Sequence, residues 1–467
     1  NNKDLWITTR NKGLYRYNLI SKSIEHLQSD KKNPDSLIDN DIRAIINDNA
    51  NNLWIGTYIN GIDKYDVSRE QFNHTVQDVT KNNNLQGGAF FHFLEHSTDK
   101  LLISTYQSGL NEYDKTTGEY HQYLHDPTNN NSIGSNTVTW LINDEKQGVW
   151  VGTVGGGLNL FDVKTKVFTR FMHNPDDPNS ISHNKILPIF QENEHTLWIG
   201  TWGGGLNKFD TRTKKFTRFM HDPNNINSLS GNNIWAIHKD DKGFLWLGTM
   251  FSGLNKFDPK TNTFTHFKHD PKNDNSLSNQ FVDAIHQTSD GILWLGTSNG
   301  LNKFDPLTEK FTHYKEKHGL ASSTIYGILE DEQGHLWLST TNGLSHFNPE
   351  TENFKNYDVT DGLQSKEFAT LSYYKSKSGE LFFGGVNGYN HFYPQDIKDD
   401  TRLPNIVLTN FLVHNETVKV GSYEESGNKT EQPFMLDAVI NELTQLTLTH
   451  LEKLITFNFQ LSTFLSQ

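Results

Sequence analysis

Tryptophan recurs along this chain at a fixed spacing. Trp6, Trp54, Trp150, Trp198, Trp246 and Trp294 fall on a 48-residue grid, and Leu102 fills its one gap. Trp337 follows after 43 residues and Phe382 after 45 more. Nine copies of one unit therefore run through most of the 467 residues. A period in this range belongs to propellers, solenoids and arrays. What recurs in every copy is scaffold, and only what escapes the recurrence is free to carry function.

One unit shows its parts. Ile234–His238 is a short apolar stretch, Asp240–Gly243 a turn, and Phe244–Thr249 a second apolar stretch. A loop ends at Gly253, Leu254–Asp258 alternates apolar and polar residues, Pro259–Asn262 turns, and Thr263–Phe267 alternates again. These are four strands of about five residues punctuated by Gly, Pro, Asn and Asp. No window shows a sustained 3.6-residue apolar period, so few helices are expected. Three short connections and one long exit describe an antiparallel meander, the blade of a β-propeller, with strands a to d running outward from the axis. Pro188 falls in an a strand, which suits a free edge facing the central channel.

Aromatic positions recur with the anchors. Strand c carries Tyr17, Tyr65, Tyr113, Phe161, Phe209, Phe257, Phe304, Phe347 and Phe392, and strand d carries Phe72, Tyr120, Phe168, Phe216, Phe264, Phe311 and Phe354. Blades stack face to face, so these rings fill the gaps that widen outward. The His-Asp-Pro signals at His125, His221 and His269, with His173-Asn174-Pro175, read as turns in which an Asp or Asn accepts backbone N–H groups.

The motif order resembles the two-component regulator propeller repeat of bacterial sensors. In this chain it runs Asn-Ser-Leu-Ser, strand a, Asp-x-x-Gly-x-Leu-Trp-Leu-Gly-Thr, Gly-Leu-Asn-Lys-Phe-Asp, Phe-Thr-x-Phe and His-Asp-Pro. Leu206–Asp210 and Gly300–Asp305 lie close to the consensus, and the likeness covers roughly residues 1 to 395. After Asp400 the spacing stops. The alternations in Leu403–Phe411, Leu446–Leu448 and Leu454–Phe459 resemble the start of the small β-sandwich, called Y_Y_Y, that follows such propellers. The resemblance implies an all-β fold and an extracytoplasmic, periplasmic position. It implies a kinase or cyclase output carried by other segments of a membrane protein.

Two ring sizes remain open. Counting seven anchors back from Phe382 reaches Leu102, which makes 87–395 a seven-bladed ring, 1–86 preceding blades and 402–467 a partial sandwich. The last blade lacks its own d strand, and a strand near Phe72 would close the ring. The alternative is eight blades closed by a strand near Ile24.

Composition narrows the function. A net charge of −13 without a basic block argues against nucleic acid or anionic lipid. With no cysteine there is no disulfide or thiolate site. No apolar run approaches the roughly 18–20 residues of a membrane span. The first residues already lie inside a repeat, so the chain reads as cut at its N-terminus. No cofactor and no metal are expected. His92, His183, His195 and His318 are irregular but lack ligand spacing.

Loops d–a and b–c share one face, where propellers usually bind because loops vary while sheets do not. Two slots vary most. Four residues past the anchor stand Tyr58, Tyr106, Val154, Trp202, Met250 and Ser298. Eleven before it stand Arg43, Phe91, Leu187, Trp235, Asp283, Tyr326 and Leu371. Tyr58, Tyr106, Trp202, Trp235, Met250, Asp283 and Tyr326 are the ligand-binding candidates. Aromatic faces among polar groups suit a glycan or other small molecule. Self-association as a homodimer is expected of a membrane sensor. The competing readings are a protein-interaction scaffold and a propeller lyase, the latter needing an acid, a base and often a metal at the channel mouth.

Overall fold

The repeat spacing follows from one packing contact. Trp150, Trp198, Trp246 and Trp294 are buried in strand b, and each meets the strand-c aromatic of the next copy edge-on. The pairs are Trp150–Phe209, Trp198–Phe257, Trp246–Phe304 and Trp294–Phe347, with centroids 5.4 to 5.6 Å apart. The indole N–H is paid for locally. Asp144, Glu192, Asp240 and Asp331, each six residues before its tryptophan, accept from Nε1 at 2.8 to 3.1 Å. A buried donor left unpaired would cost about 1–3 kcal/mol, so the acid belongs to the scaffold as much as the ring does.

These contacts are seen in a computed structural model that describes residues 4–19, 24–30, 36–48, 52–66, 71–77, 85–144, 148–398, 406–421, 435–440, 442–443, 445–449 and 451–461. Among them seven four-stranded antiparallel sheets form, over residues 90–123, 138–171, 186–219, 234–267, 282–314, 325–357 and 368–392, here blades 1 to 7. Six take their strands in chain order. The seventh takes its outermost strand from Asn73–Thr75, with Thr75 opposite Tyr389 and Asn73 opposite His391. Each a strand touches the a strand of the next blade, and that of blade 7 touches that of blade 1, so the cycle closes. The strands from Ile24–Leu27 pair only with Leu14–Asn18 in a separate sheet and do not enter the cycle.

The chain divides into two compact units, Arg69–Lys398 and a second made of Asn1–Ser68 with Asp399–Gln467. The ring unit thus begins ahead of residue 87, where anchor counting alone puts its edge. Phe72, placed by spacing in the d strand after the Trp54 copy and read as near a strand that would close the ring, packs against Trp337, Tyr357 and Phe392 at 6.3, 5.0 and 4.7 Å. In the second unit the Trp6 and Trp54 copies are three-stranded among the described residues and share a core of Leu14, Ile42, Leu53 and Ile55. Ile406–Val413 pairs with Glu416–Thr417 and Ile455–Leu461 in a three-stranded antiparallel sheet. Leu446–Leu448, expected as a strand, is irregular, and both leucines pack onto Phe411, Leu436 and Ile440. Asp400, Leu403–Asn405 and Asn1–Lys3 lie outside the described residues.

The links between blades are ordered by their own side chains. His125, His173, His221 and His269 each place Nδ1 2.7 Å from the carbonyl eight residues on. Asp126, Asn174, Asp222 and Asp270 accept the backbone N–H two residues on. That is the turn role expected of them.

Candidate ligand-binding face

The slot after strand b is held by the backbone. The amides of Tyr106, Val154, Trp202 and Met250 donate to carbonyls just before strand a of their own blades, at 2.9 to 3.1 Å. Trp202 is also bridged to Asn233 and Val154 to Lys185, which ties each loop to the neighbouring blade. Their side chains therefore stand on a fixed rim.

The candidates separate into three environments. Tyr58 belongs to the other unit, where the Arg43 guanidinium lies 4.2 Å over its ring. Trp235, Met250 and Asp283 fill the channel. Trp235 packs with Leu187 and Leu371, and Trp140, Met250 and Phe281 close around them. Its Nε1 donates to Thr370 Oγ1 across the ring at 2.8 Å, and Thr370 donates to Asp283 Oδ1 at 3.4 Å. Burial pushes the Asp283 carboxyl up to about 8, with Thr370 opposing. Tyr326 is half-buried against the core shared by blades 6 and 7, and burial raises its hydroxyl. These four residues plug the channel or pack beside it.

What remains outward is a ledge. Trp202 is 41% exposed and meets the buried Trp235 edge-on at 5.8 Å. Lys185 Nζ sits 5.2 Å over the Trp202 ring. Phe281 stands at 5.4 Å from Trp235 and 5.9 Å from Phe251, which is 68% exposed. Tyr106, 49% exposed, meets Phe91 at 6.1 Å on blade 1. The rings run in one chain across blades 3, 4 and 5, with a cation at one end.

Phe251, Phe281, Lys185 and Thr370 were not singled out by the sequence. Phe251 carried a usable signal. It stands five residues past its anchor, where Gly155 and Gly203 stand in blades 2 and 3, and it shares their positive φ, 72° against 96° and 103°. A phenylalanine held in a conformation that suits glycine is a strained choice of the kind that clusters at functional surfaces. Thr370 and Leu371 had no such signal. Leu371 takes φ 62° inside an irregular stretch of strand a between Phe368 and Tyr373, which only the closed ring reveals.

Clefts of about 330 and 370 Å³ lie between blades 2 and 3 and between blades 7 and 1. Their linings include anchors and turn residues of the opposite face, such as Trp150, Asp162 and Lys214 in the first and Phe382 and Tyr389 in the second. With the channel plugged, the face with Trp202 offers a surface to stack on rather than a pit.

The architecture is that of a β-propeller repeat protein. The model of the two-component regulator propeller matches residues 36–58, 228–251, 276–299 and 319–342, so the chain carries repeats of that family. Two solved structures of the extracellular domain of BT4673 from B. thetaiotaomicron share the fold, one described as a one component system and the other as a hybrid two component system. They are 22% and 23% identical, cover 89% of this chain and 54% of theirs, and have TM-scores of 0.59 and 0.58. This chain thus spans about half their length. A structure of YCF48 bound to D1 peptide is 10% identical over 70% of this chain and 97% of its own, with a TM-score of 0.51. No curated protein matches the sequence. No helix among the described residues is long and apolar enough to cross a membrane.

Proposed function

We propose that this chain is the extracytoplasmic, periplasmic sensory region of a bacterial membrane-bound signal-transduction protein, and that the ledge around Trp202 reads a carbohydrate or other small molecule. One observation carries this reading. Beside the variable slots of blades 3 and 4 stands a chain of aromatic rings, outermost Trp202 and Phe251, with Lys185 at its edge. Flat rings stack on the apolar C–H faces of sugars while a cation and nearby amides take hydroxyls. The repeat match and the BT4673 extracellular domains, which share the fold, support the sensory context. Self-association as a homodimer belongs to the same reading, as does an output carried on other segments. No kinase or cyclase chemistry is assigned to these residues.

Titration of the protein against a panel of neutral and acidic oligosaccharides tests the proposal. A hit should raise the melting temperature, and Trp202→Ala should weaken it by at least about tenfold, roughly the 1.4 kcal/mol of one lost stacking contact. If no glycan binds, or if Trp202→Ala binds as tightly as the native chain, the ledge is not a sugar site. A peptide is the second reading. The ledge is open rather than pocketed, and YCF48, which shares the fold, is seen with a peptide bound. Saturable peptide capture lost on Trp202→Ala would favour it.

A further inference from the structure

Blade 6 departs from its sisters on the side of the sheet that faces away from the ledge. In four of the nine copies the residue opposite the anchor on strand c is a lysine lying over the indole. Lys208, Lys256 and Lys303 sit 5.4, 5.5 and 5.7 Å from the Trp198, Trp246 and Trp294 rings. Opposite Trp337 the register places His346 instead, stacked on the indole at 4.4 Å. Two residues before the anchor, where blades 4 and 5 have Phe244 and Ile292, blade 6 has His335. The two imidazoles meet edge-on with centroids 5.0 Å apart.

Between them stands the scaffold carboxylate. Asp331 is buried, and its Oδ1 accepts the backbone N–H groups of Gln333 and His335 while Oδ2 accepts Trp337 Nε1. These bonds fix its orientation, the support that metal-ligating carboxylates require. His346 Nε2 lies 3.5 Å from Asp331 Oδ2. His335 Nδ1 is withdrawn from solvent and makes no hydrogen bond, and the equally buried His346 Nε2 has only its 3.5 Å approach to Asp331. One donor atom from each of the three residues falls within 4.8 Å of the others. A buried imidazole nitrogen without a partner is costly, and two imidazoles converging on one carboxylate make a donor set for a cation.

We propose that Asp331, His335 and His346 form a binding site for a divalent transition metal of the zinc class. Two imidazoles and a carboxylate are the ligand type that Zn²⁺ accepts at about 2.0–2.2 Å, and hard cations such as Ca²⁺ or Mg²⁺ prefer all-oxygen sets. Three protein donors leave a fourth position for water or an outside ligand. The metal ties the a–b turn of blade 6 to its strand c, on the face opposite the ledge. The site depends on no ligand at Trp202, so the two proposals stand or fall separately.

The test uses Co²⁺ as a visible stand-in for Zn²⁺. The native chain should take up one equivalent with tetrahedral d–d absorption, lose the colour when Zn²⁺ is added, and gain melting temperature with either metal. His346→Lys and His335→Phe install residues that sister blades already carry at those positions, so both should fold. Each should weaken Co²⁺ binding more than about 100-fold, the upper end of what loss of even a supporting partner costs. Histidine ring signals of His335 and His346 should move on Zn²⁺ addition to the native chain. Failure of the native chain to bind one equivalent overturns the proposal, which leaves Asp331 and His346 as a plain ion pair. Equal Co²⁺ binding by the double variant overturns it too, because the metal then sits on other histidines.

Discussion

Phe251 shows how a single residue separates stability from function. Its φ of 72° is one that glycine adopts freely and phenylalanine does not. Its ring is largely in solvent, so little packing offsets the strain. Phe251→Gly should therefore keep or raise stability, by about 1 kcal/mol in chemical unfolding, while weakening any ligand that stacks on the ledge. A clear loss of stability would show that the ring is structural and remove it from the binding face. Repeat comparison marks Phe251 by placing it where blades 2 and 3 carry glycine, while its strain and exposure are read only from the structure.

At the scale of the strand, the a strands do more than line a channel. Trp235 in blade 4, Asp283 in blade 5 and Thr370 in blade 7 form one hydrogen-bonded chain across the ring's interior. Asp283 Oδ2 makes no hydrogen bond, and burial keeps the carboxyl protonated up to about pH 8. An unfolded aspartate titrates near ~3.9. Between those values the folded chain holds a proton that the unfolded chain releases. The contribution is therefore intact below ~4 and is lost as pH rises towards 8, with a slope of up to about 1.4 kcal/mol per pH unit. Asp283→Asn cannot ionise. Urea unfolding of the variant should lack that slope and show its largest gain over the native chain near pH 8. An unchanged slope would mean that Asp283 is ionised in the folded ring. From the sequence, Trp235 and Asp283 stood out only as members of a variable slot in a uniform scaffold, which suits a ligand site and a channel plug equally. Their partners sit 135 and 87 residues away.

For the molecule as a whole, the closing strand matters most. Asn73–Thr75 gives blade 7 its outer edge, and Phe72 fills the gap between blades 6 and 7. A fragment of residues 69–398 should unfold in one cooperative transition. A fragment of 87–398 loses Phe72, a change worth about 3–5 kcal/mol for a buried aromatic, and leaves strand c of blade 7 unpaired. It should melt well below the longer fragment and associate through the bare edge. Equal melting temperatures would show that the closure adds nothing.

The sequence by itself determined the blade. Anchor spacing, the acid six residues before it, the strand-c aromatic and the turn residues are local or one repeat apart, and the same contact is made again between neighbours. Periodicity makes such short-range chemistry visible, and it also shows which slots are free. Only the tertiary structure decided which free slots face outward. Trp202 and Trp235 are alike in sequence, yet one lies on the rim and the other seals the channel. It also decided where the ring closes and that Asp331, His335 and His346 converge. These outcomes depend on the closed cycle and on cross-strand register. Both bring together residues that no fixed spacing relates.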